Sequence, residues 1–278
     1  MQSFADKLLR ASSANRSLLC VGLDPDPALM AVPDVVEFNR CIVDATKGIA
    51  CAYKPNLAFY EVGGSKGIAA LEKTIEHIRA VAPGAVVIGD GKRGDIGSTS
   101  AQYAKAMFDT WGFDAATVNA WGGGEGLEPF LKYEGRGVFV WCRSSNAGAA
   151  EFQDLEVKGP DGVSKLFENM ALRSVEWKSR ATVGLVVGAT YPDELRVVRA
   201  ASPRAPILAP GVGAQAGELR ATVLAGVDSA GRNLVISASR SVSYASRDRV
   251  TFQAAAAAAA EKLRNEINDI LAEAGKGW

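Results

Sequence analysis

Residues 85–96 read AVVIGDGKRGDI, an apolar run followed at once by glycines and charges. The apolar half barely alternates with polar residues, which is typical of a strand covered on both faces in a parallel sheet. The polar half stands where such a strand ends, and parallel α/β folds place their ligand sites at that end. The stretch therefore predicts a buried parallel strand with a polar site at its carboxyl end.

The same kind of apolar run occurs along the whole chain. The other runs are 17–22 (SLLCVG), 49–53 (IACAY), 115–119 (AATVN), 137–142 (GVFVWC), 182–187 (TVGLVV), 206–209 (PILA) and 234–237 (LVIS). Helical patterns such as LEKTIEHIRAV (71–81) separate them. Eight strands with intervening helices predict a (β/α)8 TIM barrel, and polar residues clustered after the strands favour it over a doubly wound sheet.

The connection after the fifth run, residues 144–179, is the longest in this scheme. Its QDLEVKGPDG segment (153–162) predicts a mobile loop before the next helix. Because no linker or long repeat divides the chain, we expect one barrel domain over residues 1–278.

Composition excludes several classes of protein. Lys plus Arg total 31 and Asp plus Glu total 31, so the net charge is zero and does not indicate the basic surface that binds nucleic acid. The longest small-apolar run, residues 254–260, is far too short to span a membrane. The amino-terminal segment carries charges where a signal peptide needs an apolar run. The four cysteines form no CxxC pair, and they predict buried thiols in a reducing compartment, the cytoplasm.

The chain has one histidine, His77, within the helical pattern LEKTIEHIRAV. We expect it to be a solvated residue on a helix surface. A Ser-His-Asp triad or a site built from several histidines has too few residues here, so we expect no metal.

The densest group of charges follows the third strand. In extended backbone Asp90 and Lys92 project the same way, and Asp95 can return toward them. Flanking carboxylates keep an ammonium protonated and the acids ionised, which makes Lys92 a candidate proton donor. A solvated loop of mixed charge is the alternative. The stretch also matches GxGxxG, but a dinucleotide site is a poor interpretation because Asp90 would face a pyrophosphate.

Other strand ends add further candidates. Asp24 follows the first strand, where a turn is the alternative role, and Lys54 follows the second. The segment PGVGAQ, which begins at Pro210 and ends at Gln215, follows the seventh strand, and Arg240 follows the eighth. Glycine-rich backbone and a forked guanidinium at these two ends are typical of a phosphate site.

Together these motifs resemble the orotidine 5′-phosphate decarboxylase family, and especially its bacterial branch. The resemblance rests on DxKxxDI at 90–96, KPNLAFYE at 54–61, CRSSN at 142–146, PGVGAQ at 210–215 and the last arginine, so it extends over nearly all of the chain. It implies decarboxylation of orotidine 5′-phosphate to uridine 5′-phosphate without a cofactor. It also implies a homodimer with shared active sites.

The resemblance implies roles for the catalytic group and its surroundings. Lys92 would protonate C6, and Asp90 would lie beside the substrate carboxylate. Asp24 and Lys54 would hold the ribose hydroxyls. Ser145 would hydrogen-bond the pyrimidine.

It implies two further groups of contacts. Pro210, Gln215 and Arg240 would belong to the substrate site, with the last two holding the phosphate. Asp95, Ile96 and Thr99 would reach the neighbouring subunit's site. Two positions depart from the family pattern, since Ser239 stands where many members have glycine and Ala147 where many have proline.

Two other functions stay open at this point. One is a Mg²⁺-dependent sugar-phosphate decarboxylase or aldolase of the same superfamily, which would need an acidic residue two positions before Asp90. That position is Ile88. The other is a non-catalytic phosphonucleotide-binding barrel, for which the clustered charges would be unnecessary.

Overall fold

The computed structural model describes residues 2–159, 162–211 and 216–278. Eight parallel strands form a closed barrel in the order β1-β2-β3-β4-β5-β8-β9-β10, and β10 pairs back with β1. The barrel strands are β1 Leu19–Leu23, β2 Ala52–Pro55, β3 Val86–Arg93, β4 Ala115–Val118, β5 Gly137–Arg143, β8 Thr182–Val187, β9 Ile207–Pro210 and β10 Leu234–Ala238. The predicted TIM barrel is confirmed, and each of the eight apolar runs overlaps one of its strands.

Helices cover the outside of the barrel. They are α1 Phe4–Asn15, α2 Val35–Thr46, α3 Ala58–Glu61, α4 Gly64–Val81, α5 Gly97–Lys105, α6 Gly123–Leu131, α7 Ala150–Gln153, α8 Leu166–Glu176, α9 Pro192–Ala201, α10 Ala216–Gly226, α11 Arg240–Ser243 and α12 Phe252–Glu273. A π-helical turn, Ala106–Thr110, extends α5, and a 3-10 turn, Ala147–Ala149, precedes α7. No helix in the described ranges combines the length and apolarity that crossing a membrane requires.

The barrel interior has its own apolar core, which α1 closes at one end. Phe4, Leu8 and Ala11 lie on one face of α1 and pack with inward-facing residues of the strands. Phe4 meets Phe139 edge to face, with ring centroids 5.7 Å apart. The opposite end of the barrel, at the carboxyl ends of the strands, holds a cavity.

The prediction of a loop over residues 153–162 is wrong for 156–159 and 162, which lie in strands, while residues 160 and 161 lie outside the described residues. Strands β6 Glu156–Gly159 and β7 Gly162–Lys165 form an antiparallel hairpin, and the amide of Leu166 donates to the carbonyl of Leu155 at its base. The hairpin lies on the surface, so it lacks the buried face whose apolar periodicity marks a strand in the sequence.

The cysteines and the histidine are structural. Cys20, Cys51 and Cys142 are buried, as predicted, whereas the prediction of a buried thiol is wrong for Cys41, which is half-buried. Burial raises the pKa of Cys51 and of Cys142 to about 12. His77 lies on α4, but the prediction of a solvated ring is wrong. Its Nε2 lies 3.2 Å from Oδ1 of Asp44 on α2, and its side chain is only 17% exposed.

Candidate active site

A cavity of about 570 Å³ opens at the carboxyl ends of the strands. It is lined by Asp24, Lys54, Asn56, Asp90, Lys92, Trp141, Ser144, Ser145, Asn146, Val186, Leu208, Pro210, Gly211 and residues 237–241. Polar side chains from five strand ends therefore converge on one space, as the strand pattern predicts.

At the floor of the cavity, one buried carboxylate holds two ammonium groups. Oδ2 of Asp90 lies 2.7 Å from Nζ of Lys54, and Oδ1 lies 2.7 Å from Nζ of Lys92. Thr117 on β4 donates to the same Oδ1 at 2.8 Å and accepts from the Lys92 amide at 2.9 Å. The carboxylate is thus fully engaged, and Lys92 is anchored by both its side chain and its backbone.

The backbone at Lys92 explains how this side chain is aimed. The pairing of β3 with β4 shifts register between Gly89 and Arg93, and Lys92 adopts a left-handed φ of 44°. Such irregularities redirect side chains at strand ends, and a non-glycine residue tolerates them only where its surroundings over-determine the position. The ion pair and the Thr117 contact supply that constraint.

The charges of this group reinforce one another. Burial by itself would raise the pKa of Asp90, but the ammonium groups of Lys54 and Lys92 outweigh it and hold that pKa well below its usual range. Burial would lower the pKa of Lys54, and the carboxylates of Asp90 and Asp24 instead hold it above its usual range. Asp90 and Lys54 therefore both stay charged near neutral pH.

Asp24 presents an acceptor to the cavity. Its Oδ1 is buried and has no hydrogen-bond partner among the described residues. Its backbone is held by Tyr244, whose hydroxyl donates to the Asp24 carbonyl at 2.6 Å and accepts from the amide of Asp26 at 2.7 Å. A buried acceptor left open in this way suits a hydroxyl donated by a ligand.

The remaining cavity residues from the sequence analysis lie at the ends of β5, β9 and β10. Ser145 follows β5, Pro210 ends β9, and Arg240 begins α11 with an exposed side chain. Gln215 lies outside the described residues. Ser239, the departure from the family pattern, also lines the cavity, and its side chain packs so closely on Gly22 that a Cβ there would collide with it.

Three predicted site residues do not line this cavity. Asp95, Ile96 and Thr99 are exposed, and the carboxylate of Asp95 accepts from the amide of Ile96 at 2.7 Å. The expectation that Asp95 returns toward Lys92 of its own chain is wrong. The loop instead turns toward α6, where the Asp95 carbonyl lies so close to Gly126 that a Cβ there would stand 2.8 Å from it.

Sequence reasoning missed several cavity residues. It also missed Thr117, which does not line the cavity but holds Asp90 and Lys92; Thr117 is a polar residue inside the apolar run AATVN, which is a signal that could have been used. Trp141 forms part of the wall, with Nζ of Lys92 5.9 Å from its ring centroid. Asn56 and Asn146 also line the cavity, and each follows a motif residue by one or two positions.

Within residues 2–159, 162–211 and 216–278, no group of three or more His, Cys, Asp or Glu side chains is arranged to hold a metal ion. Ile88, at the position where a Mg²⁺-dependent relative would need an acid, is buried in the apolar core inside the barrel.

This chain resembles known proteins both in sequence and in fold. The family model for the orotidine 5′-phosphate decarboxylase / HUMPS family matches residues 17–255. An orotidine 5′-phosphate decarboxylase from Thermomicrobium roseum is 49% identical over 98% of this chain and 97% of its own length. One from Dehalococcoides mccartyi is 45% identical over 95% of this chain and 97% of its own length.

Solved structures agree with the sequence relatives. An OMP decarboxylase from Leishmania donovani has a TM-score of 0.83 and 39% identity, over 97% of this chain and 98% of its own. A UMP synthase from the same organism has a TM-score of 0.84 and 40% identity, over 97% of this chain and 57% of its own. From the charged cavity of this barrel and from these relatives, we conclude that the chain belongs to the orotidine 5′-phosphate decarboxylase / HUMPS family.

Proposed function

We propose that this protein is a carboxy-lyase that converts orotidine 5′-phosphate to uridine 5′-phosphate and CO₂, the last step of de novo pyrimidine nucleotide synthesis. The observation that carries the proposal is the Lys54–Asp90–Lys92 group, in which Lys54 and Asp90 are buried and both ammonium nitrogens lie 2.7 Å from one carboxylate at the mouth of the barrel. A binding module has no need to bury an ion pair beside a third, ligand-accessible charge, whereas a proton-transfer enzyme does.

The chemistry proposed for this group is direct decarboxylation. The bond between C6 and the carboxylate carbon breaks, CO₂ leaves, and the electron pair stays on C6 of the pyrimidine. The required acceleration is on the order of 10¹⁷-fold, or about 23 kcal/mol. The Lys92 ammonium stabilises the developing negative charge and then gives its proton to C6, after which solvent restores the proton on Nζ. Asp90 holds this ammonium in place before the reaction, and Lys54 and Thr117 hold the Asp90 carboxylate, so little reorganisation is needed.

The rest of the cavity supports binding of a nucleoside monophosphate. We assign the open acceptor of Asp24, together with Lys54, to the ribose hydroxyls, and Ser145 to the pyrimidine. Arg240 and Pro210 would contact the phosphate side, where a guanidinium fork suits phosphate oxygens. Gln215 stays a sequence prediction for the same phosphate. Binding energy from the phosphate, distant from C6, can be used to order the reacting end.

A homodimer with shared sites forms part of the proposal. Asp95 and Thr99 are exposed polar residues beside the cavity mouth, and Ile96 and Trp121 are exposed apolar residues, 65% and 75% exposed. An apolar surface of this kind next to an exposed carboxylate suits contact with a second copy of the chain. We further propose the cytoplasm as the location of the enzyme.

The direct test is to incubate the purified protein with orotidine 5′-phosphate, with and without EDTA, and to follow ultraviolet absorbance. We expect conversion to uridine 5′-phosphate at the same rate in both samples. Turnover that EDTA abolishes would support the Mg²⁺-dependent alternative. Binding of uridine 5′-phosphate without any turnover would support a non-catalytic barrel and overturn the proposal.

A further inference from the structure

Behind the wall of the cavity lies a buried arginine that the proposed chemistry does not use. Arg143 is the last residue of β5, and its side chain is only 1% exposed. It does not line the cavity, so it cannot contact a ligand there. A guanidinium removed from water at this cost requires partners that keep it charged and hydrogen-bonded.

Those partners come from the segment that leads into the surface hairpin. Nη2 of Arg143 lies 3.1 Å from Oδ2 of Asp154, and Nη1 donates to Oε1 of Gln153 at 3.4 Å. Nη1 also donates to the carbonyl of Ser144 at 3.1 Å. The guanidinium carbon lies 4.2 Å from the centroid of the Tyr191 ring, which covers its face.

The same partners hold the cavity loop that follows Arg143. Oε1 of Gln153 accepts from the amide of Ser144 at 2.8 Å, so both backbone groups of Ser144 are engaged. The Tyr191 hydroxyl donates to the carbonyl of Asn146 at 3.5 Å. Ser144 and Asn146 themselves line the cavity on either side of Ser145.

We propose that Arg143, through its ion pair with Asp154, is a positioning residue that aims the 144–146 loop at the pyrimidine ring of the substrate. The forked guanidinium joins Asp154, Gln153 and the Ser144 carbonyl at once, and an ammonium has no planar fork with which to do so. The inference rests on the proposed function only for the identity of the base.

The test compares two ligands that differ only in the base, uridine 5′-phosphate and ribose 5-phosphate, by titration calorimetry on the full chain. Arg143→Lys and Asp154→Asn should each weaken uridine 5′-phosphate about tenfold, equivalent to about 1.4 kcal/mol. Ribose 5-phosphate should weaken by less than about twofold, because its contacts lie elsewhere in the cavity. The Asp154 side chain is one-quarter exposed, so the isosteric Asp154→Asn protein should fold.

Arg199 offers a matched control. It is also a buried arginine, but it donates to carbonyls at the opposite end of the barrel, including those of Gly226 and Asn233. Arg199→Lys should lower the melting temperature and leave the ratio of the two affinities unchanged.

An unchanged ratio in both Arg143→Lys and Asp154→Asn, or equal losses for both ligands, would show that the arginine serves stability alone. The proposed function is judged separately, by wild-type turnover. A wild-type protein that prefers uridine 5′-phosphate but does not decarboxylate would leave this inference standing while the function fails.

Discussion

Two aspartates are buried to the same extent at opposite ends of the barrel, and their partners differ. Asp114, 7% exposed, precedes β4 at the end closed by α1. Its Oδ2 accepts from the amide of Val87 at 2.9 Å and lies 2.7 Å from Arg79, while Oδ1 lies 3.7 Å from Lys7. This carboxylate joins a strand, a helix and the amino-terminal helix, so its charge is used to assemble the fold.

Asp90, also 7% exposed, ends the apolar part of β3 at the open end. The partners of its carboxylate are three side chains, those of Lys54, Lys92 and Thr117, and both lysines line the cavity. The comparison shows that burial of an acid does not by itself identify a catalytic site. What separates the two is the kind of partner: Asp114 accepts from a backbone amide, whereas the described partners of the Asp90 carboxylate are side chains, two of them lysines that line the cavity at the carboxyl ends of the strands.

Substituting one lysine at each end of the barrel tests this comparison with the largest expected effect. Lys92→Ala should lower kcat for orotidine 5′-phosphate by at least about 10⁴-fold, because it removes both the proton donor and the charge that stabilises the carbanion. The affinity for uridine 5′-phosphate should change far less, as titration calorimetry can show. Lys7→Ala, which removes a partner of Asp114, should keep wild-type kinetics. Near-normal turnover in Lys92→Ala would refute the assignment of the catalytic end.

Substituting one arginine at each end of the barrel should give the next largest effect. Arg240→Ala should lower kcat/KM by about 10³-fold, because a charge-assisted phosphate contact is lost and less binding energy orders the reacting end. Orotidine, which lacks the phosphate, should be turned over by this variant about as slowly as by the wild type. Arg79→Ala at the closed end should leave the KM for orotidine 5′-phosphate at the wild-type value. Equal losses with the phosphorylated and unphosphorylated substrates would contradict the role of Arg240.

Acid should reduce the stability that Asp90 contributes, whereas a surface carboxylate should show no such effect. Because the pKa of Asp90 is lowered in the folded protein, its contribution to stability is present above the unfolded value of about 3.9 and is lost as the pH falls further. Asp90→Asn leaves buried Lys54 unpaired and should cost about 3 kcal/mol of unfolding free energy at pH 7.

Urea denaturation at pH 7, 5 and 3.5 measures this difference, which should narrow below about pH 4. Asp193→Asn, which removes an exposed partner of Arg196, should match the wild type throughout. A gap between Asp90→Asn and the wild type that stays constant with pH would contradict the lowered pKa.

Mixed dimers would sharpen the comparison, because they test whether a second chain adds the Asp95 carboxylate to the site at the open end. Lys92→Ala and Asp95→Ala homodimers should both be nearly inactive if Asp95 serves the partner's site. After subunit exchange, half of the dimers are mixed and half of their sites are intact, so activity should recover to about one quarter of wild type. Native mass spectrometry verifies the mixed species. If these stay as inactive as the parents, the shared-site proposal is wrong.

The barrel could be predicted because its strands are covered on both faces and therefore appear as unbroken apolar runs. The apolar positions Phe4, Leu8 and Ala11 do recur at helical spacing, but periodicity cannot say that this helix closes the barrel. The hairpin was missed because neither of its strands has a buried face.

The site was predictable to the extent that strand ends define it. Asp24, Lys54, Asp90 and Lys92 all follow apolar runs, and the closure of the barrel brings them together. The direction of the Asp95 loop could not be predicted, because it depends on packing against α6.

The seam of the barrel lies between its first and last strands. Leu19 is paired with Ile236, and the hydroxyl of Ser243 donates to the carbonyl of Gly22, 221 positions earlier. On the ribosome, β1 emerges first and keeps an unpaired edge until β10 has left the exit tunnel. Asp24 and Arg240 stand on the two sides of this seam. A nascent chain that stops short of β10 therefore carries the Lys54–Asp90–Lys92 group yet has no enclosed cavity, so activity begins only after β10 has been synthesised.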